Sequence, residues 1–411
     1  MAKINDSFSK LAAGYLFPEI ARRTNAFLSE NPDANIMKLG IGNTTEALPP
    51  TLVKAMKNKL DLLSNRETYS GYGDEQGDTP LREALVNYYR NYGVELDASE
   101  FFVSDGAKAD AANIQQLFSK DNIVAFQDPA YPVYVDSNVI GGRTPGYSKE
   151  LQGYENFVYL PCREENGFIP EIPNQKVDLI YLCSPNNPTG AVMTHKQLKE
   201  FVDYANENKA VIIFDSAYCE YIKDDSLPRS IYEVEGAKSC AIEINSLSKT
   251  AGFTGVRLGW TIVPKALVCQ DSEEGVINSM WNRRQCTFFN GASNVAQAGG
   301  LGALSKQGLI ESRALVDYYL DNAEIIKEGL ESLGLVCYGG GNSPYIWAKT
   351  PNNMTSWEFF DFLLKECHVV ITPGSGFGPA GEGFVRISSY GHKENVIKAM
   401  NSIKENFKNV K

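Results

Sequence analysis

Lys249 and Asp215 are the two side chains whose positions point most directly to chemistry. Lys249 ends the segment 245–249, which directly follows the apolar run 241–244, and Asp215 directly follows the apolar run 211–214. Dehydrating a lysine amine at a buried strand end costs free energy unless the amine becomes neutral or condenses covalently with an aldehyde. A buried carboxylate requires a facing cation, such as a protonated pyridine nitrogen. The alternatives are a lysine that extends to water and an aspartate that caps a helix or joins a buried ion pair.

A second set of residues has the character of a phosphate site. The segment Ser-Asp-Gly-Ala-Lys (104–108) follows the apolar run 101–103 and opens a helix. Free backbone N–H groups and the positive end of the helix dipole can hold an anion there. Ser248 and Arg257 add a hydroxyl and a guanidinium. The alternative for 104–108 alone is an ordinary helix with a Ser or Asp cap.

Tyr218 and Asn187 complete the pattern, because both follow apolar runs and carry groups that could hydrogen-bond a ring hydroxyl. The combined set offers an acid for a ring nitrogen, a lysine for an aldehyde, polar groups for a hydroxyl and a site for a phosphate. Pyridoxal 5'-phosphate carries each of those four groups. The sequence therefore predicts this cofactor.

Short apolar runs predict the strands that would position these side chains. They are 101–103, 123–126, 179–183, 211–214 and 241–244. Each is separated from the next by enough residues for a crossover helix, which predicts a mostly parallel sheet covered on both faces. Ligands bind such sheets at the carboxyl ends of the strands, which is where the candidate residues lie.

Helix signals agree with this α/β pattern. Thr194 and Gln197 form a predicted capping box ahead of an apolar face, and Thr79 with Pro80 begins another helix. After residue 305 apolar residues recur at helical spacing over longer segments, and short strands are predicted near Tyr345 and Phe384. We expect a second, smaller α+β domain there.

Composition excludes several classes of protein. The 411 residues are 43% hydrophobic and 22% charged, which excludes intrinsic disorder, and the net charge of −11 argues against nucleic acid as a partner. The first ten residues lack the apolar core of a signal peptide, and no stretch is apolar enough to span a membrane. The 8 Cys and 3 His form no ligand pattern, so we expect reduced cytoplasmic thiols and no metal.

Several spaced motifs resemble the class I and II aminotransferases of fold type I, which depend on pyridoxal phosphate. The motifs are Ser-Pro-Asn-Asn-Pro-Thr-Gly (184–190), Phe-Asp-Ser-Ala-Tyr (214–218), Ser-Leu-Ser-Lys-Thr (246–250), Arg257 and Phe-Val-Arg-Ile-Ser (384–388). The resemblance covers nearly the whole chain. It implies a large cofactor-binding domain over 46–290, a small domain completed by 291–411, and an N-terminal arm and further part of the small domain in 1–45.

The resemblance also implies a role for each matching residue. Lys249 would bind the cofactor aldehyde and move protons, Asp215 would pair with the ring nitrogen, and Tyr218 with Asn187 would bind the ring hydroxyl. The remaining cofactor contacts implied are Tyr131 on the ring face and, around the phosphate, Ala107, Lys108, Ser246, Ser248, Arg257 and Tyr72 of a neighbouring subunit. Arg386 would bind the substrate α-carboxylate with help from Asn187 and Gly42. Taken singly, Tyr131 could be a core aromatic, Tyr72 a turn residue and Arg386 part of a surface ion pair.

Further segments resemble the subfamily of LL-diaminopimelate aminotransferases. They are 14–23, 39–46, 72–77, 286–293 and 373–379. This resemblance implies glutamate and LL-diaminopimelate, with their 2-oxo acids, as substrates. Tyr15, Glu75, Lys108, Tyr131 and Asn290 would contribute to substrate binding. A homodimer with shared active sites is implied, although Glu75 could instead be a solvated turn residue.

Two other functions compete with this interpretation. One is an aminotransferase of broad or aromatic specificity, or a lyase of the same fold. The other is a cofactor-binding regulator, which would need a nucleic-acid-binding module. Only about a dozen residues precede the first family motif, and the chain is acidic.

Overall fold

The computed structural model describes residues 1–12 and 16–409. Its α-helices are α1 (Leu16–Glu30), α2 (Pro50–Ser64), α3 (Thr79–Arg90), α4 (Ala107–Asn113), α5 (Pro132–Ile140), α6 (His195–Asn208), α7 (Leu247–Thr250), α8 (Val276–Phe288), α9 (Asn294–Ala303), α10 (Lys306–Glu331), α11 (Ser356–Cys367) and α12 (Lys393–Asn406). Its strands are β1 (Met37–Lys38), β2 (Phe101–Ser104), β3 (Val124–Asp128), β4 (Tyr147–Ser148), β5 (Gly153–Tyr154), β6 (Phe157–Pro161), β7 (Leu179–Cys183), β8 (Val211–Asp215), β9 (Ala241–Ser246), β10 (Gly259–Ile262), β11 (Cys337–Gly339), β12 (Tyr345–Lys349), β13 (Val369–Val370), β14 (Thr372–Pro373) and β15 (Phe384–Ser388).

Seven strands form the large sheet, in the order β2-β10-β9-β8-β7-β3-β6. Strands β6, β3, β7, β8 and β9 are parallel, and β10 runs antiparallel to both of its neighbours. Every residue of β3, β7, β8 and β9 is buried, as expected when helices cover both faces. The predicted α/β fold is confirmed.

Helices cover the two faces of this sheet as separate layers. One face packs against a hydrophobic core that includes residues of α3, α6 and α9, and the other against a core that includes residues of α4, α5, α8 and α10. The predicted capping box is present at the start of α6, where the N–H of Gln197 donates to Thr194 Oγ1 at 3.3 Å. The apolar face that follows it is buried.

A third core lies around a smaller antiparallel sheet of order β11-β12-β15-β14. Beside it β1, from the N-terminal part of the chain, pairs in parallel with β13. Helices α1, α11 and α12 contribute to this core. Both ends of the chain therefore build the smaller unit, whereas α9 packs against α2 in the core of the large sheet. The domain boundaries at residues 45/46 and 290/291 stay predictions.

The two sheets are joined beside the cavity by a clasp between the segment 128–131 and the loop 374–381. Both carboxylate oxygens of Asp128 accept the backbone N–H of Ala380 at 3.2 Å. The N–H of Ala130 donates to the carbonyl of Phe377 at 2.9 Å. Since 128–131 begins at the last residue of β3 and 374–381 follows β14, the clasp fixes the small sheet against the large one.

Across residues 1–12 and 16–409, no helix combines the length and the apolar character needed to cross a membrane. Within the same described ranges, no group of three or more His, Cys, Asp or Glu side chains is arranged to hold a metal ion.

Candidate active site

A cavity of about 430 Å³ lies at the carboxyl ends of β7, β8 and β9. Twelve of the residues predicted from the sequence line it: Gly42, Ala107, Lys108, Tyr131, Asn187, Asp215, Tyr218, Ser246, Ser248, Lys249, Arg257 and Arg386. They come from the turns and short helices that follow the strands, and Arg386 comes from the small sheet. The cavity therefore lies between the two sheets.

Asp215 is the last residue of β8 and is buried. Its Oδ2 accepts the hydroxyl of Tyr134 at 2.5 Å, and its Oδ1 accepts the N–H of Ala217 at 3.0 Å. Burial raises the pKa of Asp215, and these two hydrogen bonds and the charge of Lys249 oppose the rise. No Lys or Arg of the described chain forms an ion pair with this carboxylate, so a cation bound in the cavity would be its partner.

Lys249 lies in the four-residue helix α7, directly after β9. Its Nζ donates to the carbonyl of Gly42 and lies 5.3 Å from the centre of the Tyr390 ring. Burial lowers the pKa of Lys249 to about 7, and the positive charges of Arg386 and Arg257 act in the same direction. Near neutral pH a large fraction of the amine is therefore unprotonated and nucleophilic.

Arg257 and Ser248 form a polar corner of the cavity. Arg257 Nη1 donates to Ser248 Oγ at 3.3 Å and to the carbonyl of Thr254 at 3.1 Å. A Cβ added at Gly106 would overlap the Arg257 guanidinium, so glycine is required for this close approach at the start of α4. A guanidinium, hydroxyls and the first turn of a helix thus face one region, which suits a phosphate.

Arg386 lies in β15 and is only 2% exposed. Its Nη1 donates to Asn187 Oδ1 at 2.7 Å and its Nη2 donates to the carbonyl of Gly40 at 2.6 Å. Its Nε has no hydrogen-bond partner, and no carboxylate of the described residues pairs with it. Burial excludes the surface ion pair considered as an alternative, and an incoming carboxylate would supply the missing negative charge.

Aromatic side chains also line the cavity. The hydroxyl of Tyr218 lies 2.9 Å from the hydroxyl of Tyr345, and Asn187 Nδ2 donates to Tyr218 at 3.5 Å. Tyr131 borders the cavity, with its ring edge-on to Tyr134 at 5.7 Å between centres. These contacts keep Tyr218 and Tyr131 at the cavity wall.

The site fits pyridoxal phosphate by the chemistry of its donors and by the charges it leaves unpaired. A buried carboxylate without a paired cation, a nucleophilic amine and the Arg257 corner all line the cavity. The cofactor offers a basic ring nitrogen, an aldehyde and a phosphate to match them.

Three of the predicted residues that the structure describes do not line this cavity in a single chain. Tyr72 is 87% exposed, Glu75 is half-buried and Asn290 is exposed. Tyr15 lies outside the described residues. Tyr72, Glu75 and Asn290 are nevertheless near one another, because Gly291 packs against the backbone of residues 74–75 and Asn294 Nδ2 donates to the carbonyl of Gly71 at 2.9 Å.

The sequence interpretation missed Tyr134, Tyr345 and Phe377. Tyr134 lies one helical turn beyond Tyr131, and this spacing was a readable signal that it faces the same region. Tyr345 and Phe377 contact Arg386 only through the pairing of β12, β14 and β15. No local pattern indicated those two contacts.

The fold and the site together define a pyridoxal-phosphate-dependent enzyme of fold type I. Residues 34–403 match the family described as aminotransferase class I and II. The chain therefore belongs to the class I and II aminotransferases, and the cofactor predicted from its strand-end residues is the cofactor of that family.

Solved structures of this family are similar over nearly the whole chain. L,L-diaminopimelate aminotransferase from Chlamydomonas reinhardtii is 48% identical over 98% of each chain, with a TM-score of 0.93. An aromatic aminotransferase from Pyrococcus horikoshii OT3 is 27% identical over 94% of this chain and 99% of its own, with a TM-score of 0.80. A mutant aspartate aminotransferase from Thermus thermophilus, at 21% identity and a TM-score of 0.83 over 98% of this chain and 100% of its own, shares the fold.

Proposed function

We propose that this enzyme transfers an amino group reversibly between glutamate and tetrahydrodipicolinate, giving 2-oxoglutarate and LL-2,6-diaminopimelate, in the biosynthesis of diaminopimelate and lysine. The observation that carries the proposal is the 48% identity to a diaminopimelate aminotransferase over 98% of both chains. An aromatic aminotransferase is only 27% identical. The cytoplasmic location predicted from the sequence stays a prediction.

Lys249, Asp215 and Tyr218 would carry the proton chemistry. Bound pyridoxal phosphate supplies an aldehyde for the amino group and a ring that withdraws electrons from the α-carbon. Lys249 Nζ, once released from the aldehyde, would move the proton at the substrate α-carbon. The Asp215 carboxylate would hold the proton on the ring nitrogen, and the Tyr218 hydroxyl would donate to the ring oxygen.

The remaining cavity residues would bind and orient. Arg386, held by Asn187 and the carbonyl of Gly40, would bind the α-carboxylate shared by both amino acids, because a guanidinium matches a carboxylate in a bidentate manner. Tyr131 would cover the ring face, and the Arg257 corner with Ser246, Ser248, Ala107 and Lys108 would hold the phosphate.

We further propose a homodimer in which each subunit completes its partner's site. Tyr72, Glu75 and Asn290 lie outside the cavity of their own chain, on a surface that also exposes Tyr69 by 66% and Phe288 by 69%. Large exposed aromatic side chains at one surface are typical of an interface. From a second subunit, Tyr72 would reach the phosphate, and Glu75 and Asn290 would bind the distal ammonium and carboxylate of diaminopimelate.

The first experiment is an absorbance spectrum of the purified protein beside Lys249→Ala. We expect a visible cofactor band in the wild type that glutamate and LL-diaminopimelate both bleach, whereas aspartate and phenylalanine bleach it at least about tenfold more slowly. A band that glutamate bleaches and diaminopimelate does not would contradict the substrate assignment. Absence of a band after addition of pyridoxal phosphate would contradict the cofactor assignment.

Subunit mixing tests the shared site. We expect Lys249→Ala and Glu75→Ala each to have little activity with diaminopimelate, and mixed dimers to regain part of it. One of the two sites in such a dimer then carries both substitutions and the other carries neither. Sedimentation as a monomer with full activity would overturn the homodimer.

A further inference from the structure

Tyr345 connects the two halves of the site and has no role in the mechanism given above. It begins β12 in the small sheet and is 1% exposed. Its hydroxyl lies 2.9 Å from the hydroxyl of Tyr218, which belongs to the large sheet. Its ring lies under the guanidinium of Arg386, with 4.4 Å from Arg386 Cζ to the ring centre. One side chain thus contacts both the proposed carboxylate ligand and the proposed partner of the ring oxygen.

The surrounding backbone accommodates the Tyr345 hydroxyl closely. A Cβ added at Gly42 would overlap this oxygen, so the absence of a side chain at residue 42 makes room for it. The same Gly42 presents its carbonyl to Lys249 Nζ. The Tyr345 hydroxyl is therefore held in position by the backbone at Gly42 as well as by the Tyr218 hydroxyl.

The charge of Arg386 determines which of the two hydroxyls donates. A guanidinium over a phenol ring stabilises negative charge on its oxygen and strengthens that phenol as a hydrogen-bond donor. Burial raises the pKa of both tyrosines, and the Arg386 charge opposes the rise at Tyr345. Tyr345 is therefore the better donor, and its proton points to the Tyr218 oxygen.

The Tyr218 oxygen then accepts from two groups, Tyr345 and Asn187 Nδ2. Its own proton remains available for an acceptor in the cavity, which Tyr218 lines. Hydrogen bonds in such a chain strengthen one another in a site of low dielectric constant.

We propose that Tyr345 is a positioning residue that transmits the charge of Arg386 to the Tyr218 hydroxyl, so that carboxylate binding at Arg386 changes the proton affinity of the ring oxygen of the cofactor. This inference rests on the proposed function. A carboxylate on Arg386 neutralises the guanidinium, weakens Tyr345 as a donor and hence weakens Tyr218 as a donor. The ring oxygen then holds a proton more tightly. Arrival of the substrate is thus communicated to the cofactor through two hydroxyls.

The test is a pH titration of the visible absorbance of the holoenzyme, with and without saturating glutarate, a dicarboxylate that lacks the amino group. We expect the midpoint of Tyr345→Phe to lie above that of the wild type by about 0.4 to 1 pH unit, because Tyr218 donates more weakly once Tyr345 no longer donates to it. We also expect glutarate to raise the midpoint less in the variant than in the wild type. Phenylalanine keeps the ring against Arg386, so the change isolates the hydroxyl.

Tyr181→Phe is the matched control. Tyr181 is also a buried tyrosine of the same hydrophobic core, and its hydroxyl has no hydrogen-bond partner among the described residues. A Tyr345→Phe midpoint equal to that of this control, or one below the wild type, overturns the proposal. A glutarate response of wild-type size also overturns it. If no cofactor band forms in the wild type, the cofactor assignment fails together with this inference.

Discussion

Three charged side chains, the buried Asp215 and Arg386 and the partly buried Lys249, line one cavity without forming ion pairs with one another. Burying an uncompensated charge is costly, and such charges are retained when a ligand supplies the compensation. A ring nitrogen, an aldehyde and an α-carboxylate are the three groups that match them. At the scale of single residues, the unpaired charges of these side chains therefore indicate which chemical groups the site would bind.

Arg386→Lys should weaken recognition of both substrates. A lysine has one ammonium where the guanidinium donates to Asn187 and Gly40 and still has Nε free. We expect kcat/KM for glutamate and for diaminopimelate to fall by about 10- to 100-fold, since charged hydrogen bonds of about 1.5–3 kcal/mol are lost. Steady-state kinetics measure this. Arg23→Lys, in α1 and paired with Glu19 and Asp361, is the control, and equal losses in both variants would contradict the role of Arg386.

Lys249 of the apoenzyme should react as a nucleophile at unusually low pH. Burial lowers its pKa to about 7 from an ordinary 10.5, so the neutral amine predominates above about pH 7. We expect acylation of Lys249, followed by mass spectrometry of its peptide, to become faster up to about pH 8 and then to level off. The exposed Lys196 provides the reference in the same sample. Acylation of Lys249 that continues to accelerate up to about pH 10 would show an ordinary amine.

At the scale of elements, the clasp between 128–131 and 374–381 connects the segment that carries Tyr131 to the loop that carries Phe377. The Phe377 ring in turn lies 4.8 Å from Arg386 Cζ. The clasp therefore links Tyr131, proposed to cover the cofactor ring, to Phe377, which contacts Arg386, the proposed ligand of the α-carboxylate.

Removing the clasp should loosen the loop 374–381. Burial raises the pKa of Asp128 to about 6, so its carboxylate is ionised, and the stronger acceptor for Ala380, above that pH. We expect Asp128→Ala to accelerate amide hydrogen exchange in this loop by about tenfold at pH 8, because a hydrogen bond of about 1.5 kcal/mol is lost.

Asp136→Ala is the control for the clasp. Asp136 lies in α5 near the same segment, and burial also raises its pKa to about 6. Equal loss of protection in both variants would mean that the loop responds to any lost carboxylate and would contradict the clasp.

An element was predictable from the sequence where its signal lies in consecutive residues, and it was not where its position depends on contacts between distant residues. The runs behind β7 and β8 are continuous and apolar because both faces are buried, and the run behind β9 is interrupted only by Glu243. The sequence alone therefore located these strands and the polar residues after them. Strand β10, which contains Gly259 and Thr261, and the partly exposed β6 lack such a run and were missed. The contact of Tyr345 with Tyr218 joins residues 127 positions apart, which only the folded chain reveals.

At the scale of the whole molecule, cofactor binding should stabilise the folded enzyme through the phosphate as well as the ring. We expect pyridoxal phosphate at about 100 times its Kd to increase the free energy of unfolding by about 2.7 kcal/mol. For a chain of this length, that increase raises the Tm by about 3 °C. Pyridoxal, which lacks the phosphate, should give a smaller rise at the same concentration because the Arg257 corner stays empty. Thermal unfolding followed by circular dichroism measures both. Equal shifts in Tm with pyridoxal phosphate and pyridoxal would contradict the assignment of the Arg257 corner as the phosphate site.

The pairing of β1 with β13 also has a consequence for synthesis of the chain. Met37 and Lys38 leave the ribosome about 330 residues before Val369 and Val370, the residues with which they pair. At roughly 5–20 residues per second this delay is roughly 20–60 s, during which the whole of the seven-stranded sheet has already emerged. Translation thus sets an order, with the large sheet first and the small sheet last. The cavity, which needs both Gly42 and Arg386, closes only as the chain is completed.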